Sequence, residues 1–417
     1  MARKMKDSGI EWIGEIPEGW SIARGKHILT LLQRAVFPTD GIITCFRDGE
    51  VTLRSNRRED GFTVSLKEIG YQGIEPGDLV VHGMDGFAGS IGISDSRGKS
   101  SPVLVVLDSS QDKKYLMYYL RSMAYNNVFL ALSTGIRVRS CDLKWNKLAD
   151  LLYLVPPIVE QHKLVSFLDE KCSEIDAMLS KTRASIEEYK KLKQAVITQA
   201  VTKGVRGERE MKDSGVAWIG EIPADWTIQR FARVAEVKSN LVSPDNYLEY
   251  PQISPENIEK DSGKLLLPCK TVAEVGVISG NHLFYKGQIL YSKIRPKLNK
   301  VCIAPFDGLC SADMYPIETN NDTRYIMYCI LSNGFLQQVS MITENRVKMP
   351  KINQVELSKI LVAMPCFLAE QKEIADYLDV KCAEIDKLIA KKEQLVKELE
   401  SYKKSLIYEV VTGKREV

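Results

Sequence analysis

The sequence predicts a mixed α/β (α+β) fold in which two globular domains are separated by two long antiparallel coiled-coil helices. Three observations predict this arrangement: an internal repeat of about half the chain, a long helical run near its middle, and a second such run at its end. A chain of 417 residues is also too long for one compact domain. We therefore expect a duplicated module with pseudo-twofold symmetry, in which each copy is a globular domain followed by a long helix.

The repeat is clearest at the start of each half. Residues 5–20 read MKDSGIEWIGEIPEGW and residues 211–226 read MKDSGVAWIGEIPADW, so twelve of sixteen positions are identical. Further matches follow at an offset of 210, such as residues 77–81 with residues 287–291. A period this long is not that of a solenoid, so the two halves are interpreted as duplicated domains.

The two helical runs carry apolar residues at three- and four-residue spacing, which predicts helices with a narrow apolar seam. The first run, Glu160–Val201, would span roughly 60 Å, and the second is Glu370–Val411. Cys172 and Leu192 fill gaps in the first seam. We expect the helices to pair with each other through Leu168, Ile175, Leu179, Ile186, Tyr189, Leu378, Ile385, Ile389, Leu399 and Tyr402.

Prolines and glycines mark the expected boundaries. The prolines at 156–157 end the first globular domain, because the residue before a proline is pushed to extended geometry, and Pro365 does the same in the second half. The charged, glycine-containing segment after Lys203 is interpreted as a linker. The predicted parts are a first globular domain at residues 1–156, a central helix at 157–203, a linker at 204–210, a second globular domain at 211–364 and a C-terminal helix at 365–417.

Inside the globular domains, short β-rich runs alternate with turns that contain glycine. The clearest predicted strands are Leu79–Val81 and Val103–Leu107 in the first half, and Ile289–Tyr291 and Val301–Ala304 in the second. Short amphipathic helices are expected near residues 115 and 325. These elements together indicate mixed α and β structure.

Composition narrows the class of protein. Hydrophobic residues make up 44% of the chain and charged residues 27%, which is ordinary for a soluble globular protein. The sequence has no apolar run of about 18 residues, and the N-terminus lacks the pattern of a signal peptide. Nine scattered cysteines with no Cys-x-x-Cys pair favour a reducing cytoplasm over a disulfide framework or a zinc site. A net charge of +3 neither requires nor excludes nucleic acid.

No catalytic motif stands out. Residues 92–100 resemble a phosphate-binding loop, but five residues separate the glycines instead of four and no helical pattern follows, so an ordinary charged turn is favoured. A Gly-x-Gly-x-x-Gly fingerprint and an Asn/Asp-Pro-Pro-aromatic tetrapeptide are both missing. Two alternatives remain open: a stand-alone DNA-modifying enzyme, and a coiled-coil scaffold without a DNA role.

Basic and amide residues gather in segments that are expected to be loops. Arginine and lysine bind phosphates or pair with guanine, and asparagine pairs with adenine. Just after the matched strands the two halves diverge, with Asp85 in one and Arg295 at the equivalent position of the other. Two domains that recognise different DNA sequences would be expected to share a backbone scaffold and to differ in the side chains of their loops. The DNA-binding candidates are Arg54, Asn56, Arg57, Arg58, His82, Met84, Asp85, Arg137 and Arg139 in the first half, and Lys293, Arg295, Lys297, Asn299, Lys300, Arg346 and Lys348 in the second.

Three motifs carry a resemblance to a known family. They are the repeated opening segment at residues 8–20, the Pro-Pro and Glu-Gln pairs at residues 156–161 that lead into the central helix, and the sequence GQILYSKIRP at residues 287–296. With these motifs the chain resembles, over nearly its whole length, the specificity (S) subunit of type I restriction–modification enzymes. It departs from that family's pattern with Met-Pro-Cys at residues 364–366 in place of Pro-Pro-Leu, and with Gln288 in place of an acid.

The resemblance implies a non-catalytic DNA-recognition subunit in the cytoplasm of a prokaryote. Each globular part would be a target-recognition domain that reads one half of an asymmetric, bipartite site on double-stranded DNA. The helices would set the spacer and dock two methyltransferase (modification) subunits, to which restriction (translocase and nuclease) subunits add. S-adenosylmethionine, ATP and magnesium would belong to those partners, and this chain would bind no cofactor and no membrane.

Overall fold

The computed structural model describes residues 3–57, 68–131, 142–346 and 350–417. The chain divides into two compact units, which we name unit 1 (Met1–Thr182 with Gln394–Val417) and unit 2 (Arg183–Glu393). Each unit contains one globular part and a section of each long helix. Because this division cuts across both helices, it does not test the predicted boundaries between globular domains, helices and linker.

Two of the helices in the described residues are far longer than the others. The α-helices are α1 (Lys113–Tyr125), α2 (Val128–Ala131), α3 (Trp145–Asp150), α4 (Ile158–Lys203), α5 (Phe231–Val234), α6 (Val272–Val275), α7 (Thr323–Leu331), α8 (Asn333–Thr343), α9 (Gln354–Ser358) and α10 (Leu368–Val411). Helices α4 and α10 have 46 and 44 residues, and each contains the whole of one predicted run. The prediction of two long helices is therefore confirmed.

The β-strands are short, and the four strands expected from the sequence are all present as β8, β11, β20 and β21. The strands of the first half are β1 (Met5–Asp7), β2 (Glu15–Pro17), β3 (Ser21–Arg24), β4 (Leu29–Leu31), β5 (Ile43–Cys45), β6 (Val51–Leu53), β7 (Gln72–Ile74), β8 (Leu79–His82), β9 (Ile91–Ile93), β10 (Gly98–Ser100), β11 (Leu104–Ser109) and β12 (Leu152–Val155). Those of the second half are β13 (Met211–Asp213), β14 (Glu221–Pro223), β15 (Thr227–Arg230), β16 (Glu236–Val237), β17 (Leu241–Val242), β18 (Gln252–Ile253), β19 (Asn281–Phe284), β20 (Ile289–Ser292), β21 (Val301–Ile303), β22 (Gly308–Cys310), β23 (Met314–Glu318) and β24 (Leu361–Met364).

Each globular part is built on a four-stranded antiparallel sheet of the same design. The strand order is β4-β11-β8-β9 in unit 1 and β16-β23-β20-β21 in unit 2. The register matches as well, because Leu79 lies opposite Leu107 in unit 1 and Ile289 lies opposite Ile317 in unit 2, both 210 residues later. The mixed fold class and the duplication of the halves are thus confirmed.

Beside this common sheet the two halves differ. Unit 2 adds a second four-stranded sheet, β17-β19-β22-β18, which shares one apolar cluster with the common sheet and has a further small cluster of its own. In unit 1 the corresponding stretch forms two separate strand pairs, β5 with β6 and β7 with β10. The duplicated domains therefore share one sheet and have diverged in the other.

The repeated tryptophans and glutamates hold each globular part to a helix. The Trp20 indole N–H donates to Glu160 at 3.0 Å, and the Trp226 indole N–H donates to Glu370 at 3.2 Å. Arg209, from the predicted linker, also donates to Glu370, which is buried. These two glutamates lie in the first turns of α4 and α10, where a negative charge suits the helix dipole. The repeated opening motif is therefore an anchor for the helix and its neighbouring domain.

Helices α1 and α7 make the second repeated contact. The Tyr118 hydroxyl donates to Asp169 on α4 at 2.8 Å, and the Tyr328 hydroxyl donates to Asp379 on α10 at 2.7 Å. The helices expected near residues 115 and 325 are both present, and the residues from 115 to 120 of α1 and from 325 to 331 of α7 are all buried. The reason is that each helix packs into the core between the sheet and a long helix.

Within each unit the two long helices run antiparallel. In unit 1, Asp176 of α4 pairs with Lys403 of α10, and in unit 2, Lys193 of α4 pairs with Asp386 of α10. The predicted pairing residues fall into two burial groups. Leu168, Ile175, Leu179, Ile186, Leu378 and Ile385 are buried, and Tyr189, Ile389 and Leu399 are partly buried.

Two residues predicted in the seam lie outside it. Tyr402 and Leu192 are 50% and 48% exposed, so their prediction is wrong. The seam passes instead through the next residue of each helix, Lys403 and Lys193, whose apolar stems line it while their amines reach a carboxylate. Apolar periodicity could not find these positions, because it counts a lysine as polar.

Candidate nucleic-acid interface

The same strand–turn–strand element occurs in both units. Turn 1 (His82–Ser90) joins β8 to β9, and turn 2 (Ser292–Lys300) joins β20 to β21; each contains one short 3-10 turn at the same relative position. The backbone bonds also correspond, since Gly83 N donates to Val103 O at 2.7 Å and the equivalent bond in unit 2 measures 3.0 Å. The two turns are one backbone design that carries two sets of side chains.

One predicted DNA-binding residue, Asn299, supports the backbone conformation of turn 2 and is not exposed on its surface. It has a left-handed conformation with φ of 41°, and the equivalent residue of turn 1 is Gly89, with φ of 96°. Asparagine is one of the few residues other than glycine that adopts this conformation. Its side chain is buried and donates to Ile330 O at 3.2 Å. Asn299 is therefore a structural residue, and its prediction as a base reader is corrected.

The exposed residues of turn 2 are Arg295 and Lys297. Among the described residues, neither side chain has a hydrogen-bond or ion-pair partner. Arg295 also has a left-handed backbone, with φ of 45°, which costs roughly 1–2 kcal/mol for a residue with a side chain. Its N–H donates to Pro350 O at 2.8 Å, which holds the strained turn in place. A strained, exposed guanidinium of this kind is typical of a functional position.

Turn 1 presents a different surface. Met84 is exposed at its tip, and Asp85 accepts a hydrogen bond from Arg47 at 3.1 Å. The His82 Nδ1 accepts from the backbone N–H of Asp85 at 3.0 Å, so the imidazole shapes the turn. Burial lowers the pKa of His82, which keeps it neutral and able to accept this bond.

A cavity of about 740 Å³ beside turn 1 brings four of the predicted residues together. Arg54, Arg57, His82 and Asp85 all line it, together with Arg47, which the sequence reasoning missed. Arg47 directly precedes the Asp-Gly turn of the β5–β6 hairpin, and a basic residue beside such a turn was the available signal. The arrangement provides a recess lined by three arginines and by two carboxylates, those of Asp48 and Asp85.

The remaining candidates of unit 1 make contacts within the protein. Arg57 pairs with Asp48 at 2.6 Å and stacks 4.2 Å from the ring centre of Phe46. The Asn56 amide donates to Thr52 at 2.9 Å. These contacts fix the orientation of both side chains, of which that of Arg57 lines the cavity.

The remaining candidates of unit 2 are held more firmly. The Lys300 amine donates to Pro255 O at 2.6 Å, and Arg346 donates to Glu356 at 3.1 Å. The amine of Lys293 lies 5.3 Å from the ring centre of Tyr315. Of the predicted set in the described part of this unit, Arg295 and Lys297 are thus exposed without a side-chain partner, whereas Arg346 is exposed but paired with Glu356.

Comparison with known proteins finds similarity to one kind of protein. Residues 223–400 match the family model described as the type I restriction modification DNA specificity domain. The chain is 36% identical to the type I restriction enzyme EcoDI specificity subunit of Escherichia coli over 54% of each chain, so this match spans about half of that relative. It is 24% identical to the putative type I restriction enzyme MjaX specificity subunit of Methanocaldococcus jannaschii over 96% of this chain and 95% of the relative. The chain is thus similar to type I restriction enzyme specificity subunits, in its second half by the family model and over most of its length by the second relative.

Solved structures show the same fold over nearly the whole chain. A chain from a study of complex assembly and conformational transition of the type I R-M system matches with a TM-score of 0.69 and 13% identity, over 96% of this chain and 99% of that one. The HsdS subunit from Thermoanaerobacter tengcongensis matches with a TM-score of 0.50 and 14% identity, over 98% and 100%. The two alternatives, a stand-alone DNA-modifying enzyme and a scaffold without a DNA role, find no support in these matches.

Residues that the two halves share and residues in which they differ lie in different parts of the structure. Residues repeated in both halves anchor globular parts to helices, while residues that differ lie on turns 1 and 2. The candidates Arg58, Arg137, Arg139 and Lys348 lie outside the described residues. The segment that resembled a phosphate loop forms the end of β9, a turn and β10, and no helix follows it.

Two further observations hold for the described part of the chain. It contains no group of three His, Cys, Asp or Glu side chains placed to hold a metal ion. None of its helices combines the length and apolarity needed to cross a membrane.

Proposed function

We propose that this chain reads an asymmetric, bipartite site on double-stranded DNA, as the specificity subunit of a type I restriction–modification complex. Each unit would read one half-site. The observation that carries the proposal is the pair of turns with a common backbone and opposite chemistry at one position. The guanidinium of Arg295 can donate two hydrogen bonds to guanine, whereas the carboxylate of Asp85 accepts from cytosine or orients Arg47.

Cationic side chains around the turns would supply affinity. Arg54 and Arg57 line the recess beside turn 1, and Lys297 is exposed on turn 2. Contacts of this kind with phosphates release counterions, so binding should weaken steeply as salt rises. They position the protein without carrying sequence information, which leaves base choice to the residues at the tips of the turns.

The long helices would set the spacer between half-sites and dock the methyltransferase subunits. Both α4 and α10 continue from one unit into the other. Helix α10 carries a second apolar stripe at seven-residue spacing, formed by the exposed residues Leu388, Leu395 and Tyr402. Met178 and Leu192 are exposed on α4 at twice that spacing. Apolar stripes with this repeat suit packing against helices of a partner.

Catalysis and its cofactors would belong to the partners. In this proposal the methyltransferase subunits bind S-adenosylmethionine, and the restriction subunits bind ATP and magnesium. This chain would contribute DNA recognition and assembly, with no reaction of its own. Because an adenine must leave the helix before it can be methylated, the bound DNA would be distorted.

The test is selection of DNA by the purified complex of this chain with its methyltransferase subunits. A library of duplexes with random sequence would be bound, recovered and sequenced for the wild type, Asp85→Ala and Arg295→Ala. We expect each variant to relax the choice at one position of one half-site, and the two variants to affect different halves. Loss of a guanine preference with Arg295→Ala would correspond to about 1–3 kcal/mol.

Arg346→Ala is the matched control, because this exposed arginine of unit 2 is already paired with Glu356. It should leave both half-sites unchanged. An equal loss of affinity for all sequences with Arg295→Ala would show that Arg295 contacts only phosphate. Relaxation of the same half-site by both turn variants would contradict the proposal.

A further inference from the structure

Two ion pairs link α4 to α10, and they are equivalent in the repeat. Lys193 donates to both oxygens of Asp386 at 2.9 and 3.0 Å, and Lys403 donates to both oxygens of Asp176 at 2.7 Å. The lysines are 210 residues apart, as are the aspartates. In two antiparallel helices, the numbers of facing residues have a constant sum. That sum is 579 for both pairs, so both pairs belong to the same register of α4 against α10.

The pair in unit 2 is the more buried. The side chains of Lys193 and Asp386 are 7% and 21% exposed, and Lys264 from the globular part reaches the same carboxylate at 2.7 Å. The side chains of Lys403 and Asp176 are 23% and 54% exposed, so solvent screens that pair more strongly. Of the two ion pairs, the one at Asp386 therefore discriminates more strongly between registers.

The apolar seam by itself does not select one register, because it repeats every seven residues and a slide of one heptad restores apolar contact. Such a slide changes what Asp386 meets. In the two registers one heptad away, Asp386 lies opposite Ile186 or Ala200, both of which are buried. A carboxylate without a partner at either place loses its hydration and gains nothing in return.

Asp176 responds in the same way. A slide of one heptad places it opposite Val396 in one direction and Val410 in the other, and both valines pack in the core of unit 1. The lysines discriminate less, since Lys193 would then lie opposite Asp379 or Glu393 and keep an acidic partner. The carboxylates therefore carry the preference for the observed register.

We propose that Asp386, assisted by Asp176, fixes the register of α4 against α10 and thereby fixes the separation between the two DNA half-sites. The second part of this statement rests on the proposed function of the helices as a spacer. A polar pair in an apolar helix seam is the best-attested device for selecting one register among several.

The test compares two variants of the full chain that change the same positions. In the apolar variant, each of four residues is replaced by leucine: Asp176, Lys193, Asp386 and Lys403. These substitutions keep the apolar seam and remove the ion pairs that are proposed to select one register. In the exchanged variant the charges are reversed by Asp176→Lys, Lys193→Asp, Asp386→Lys and Lys403→Asp, with Lys264→Glu to match. Circular dichroism would check that both variants fold, and the apolar one should unfold at the same temperature as the wild type or higher.

Disulfide mapping would read the register directly. The natural Cys172 lies opposite Ile407 in the observed register and opposite Glu400 after a slide of one heptad. With Ile407→Cys or Glu400→Cys added, mild oxidation and mass spectrometry would identify the cross-linked peptides. We expect the wild type and the exchanged variant to link only at 407, and the apolar variant to link at both positions. Linkage of the apolar variant only at 407 would overturn the proposal.

A second readout separates the register from the spacer. Each variant would be expressed with the methyltransferase subunits, and the methylated sites would be sequenced. The apolar variant should methylate sites of more than one spacer length, and the exchanged variant only those of the wild type. If the apolar variant shows two registers by cross-linking but methylates sites of only one spacer length, the register does not set the distance between half-sites. That result would overturn the proposed function of the helices as a spacer, while the assignment of Asp386 and Asp176 to register selection would stand.

Discussion

At the scale of single residues, position on the turn decides what a side chain can do. Arg295 and Asn299 lie four residues apart, and both have left-handed backbones, yet one is exposed and the other is buried. The sequence contained the signal that separates them, because the repeat places Asn299 opposite Gly89 and Arg295 opposite Asp85. A position filled by glycine in one copy and asparagine in the other indicates a backbone requirement, whereas arginine opposite aspartate indicates a change of chemistry.

A substitution series at Asn299 tests this distinction. Both Asn299→Gly and Asn299→Ala lose the hydrogen bond to Ile330. Glycine adopts the left-handed backbone at little cost, whereas alanine in that conformation adds a strain of about 1 kcal/mol. We expect the alanine variant to have the lower free energy of unfolding, by about 1 kcal/mol, in denaturant titrations followed by circular dichroism. An alanine variant as stable as the glycine variant would remove the backbone role.

At the scale of elements, the long helices were predictable and their polar contacts were not. Apolar spacing is a local property of the sequence, so both helices and most seam residues could be predicted from it. The contacts of Lys193 with Asp386 and of Arg346 with Glu356 depend on segments brought together by folding. The same limit applies to the DNA-binding candidates, because the contacts that several of them make within the protein also depend on folding.

The exposed stripe on α10 gives the prediction for this scale. Leu395→Glu places a charge in the stripe proposed to bind the methyltransferase subunits, and it should weaken that association at least tenfold, because the carboxylate would have to be buried at the interface. Lys397→Glu, an exposed position of the same helix, is the matched control. Pull-down or analytical ultracentrifugation with the methyltransferase subunit would measure both. Equal binding by the two variants would place the docking surface elsewhere.

At the scale of the whole molecule, we expect changes that alter the recognised half-sites and changes that alter the spacer between them to be separable. The repeat made the duplicated architecture predictable, since two copies of one module require two equivalent sheets and two equivalent helices. The second sheet of unit 2 could not be predicted in this way, because it has no counterpart of the same form in the described residues of unit 1. Divergence of that kind is expected where each half has adapted to its own DNA sequence.

The most direct test lengthens both helices together. Three heptads inserted after Ala184 of α4 and after Gln394 of α10, which are equivalent positions 210 residues apart, add roughly 32 Å to each helix. That length is close to one turn of DNA, about 34–36 Å, so both half-sites would stay on the same face of the duplex. The measurement is the methylated motif in cells that express each chain with its methyltransferase subunits. We expect two unchanged half-sites separated by about nine additional base pairs, whereas an unchanged spacer or altered half-sites would contradict the role of the helices as a spacer.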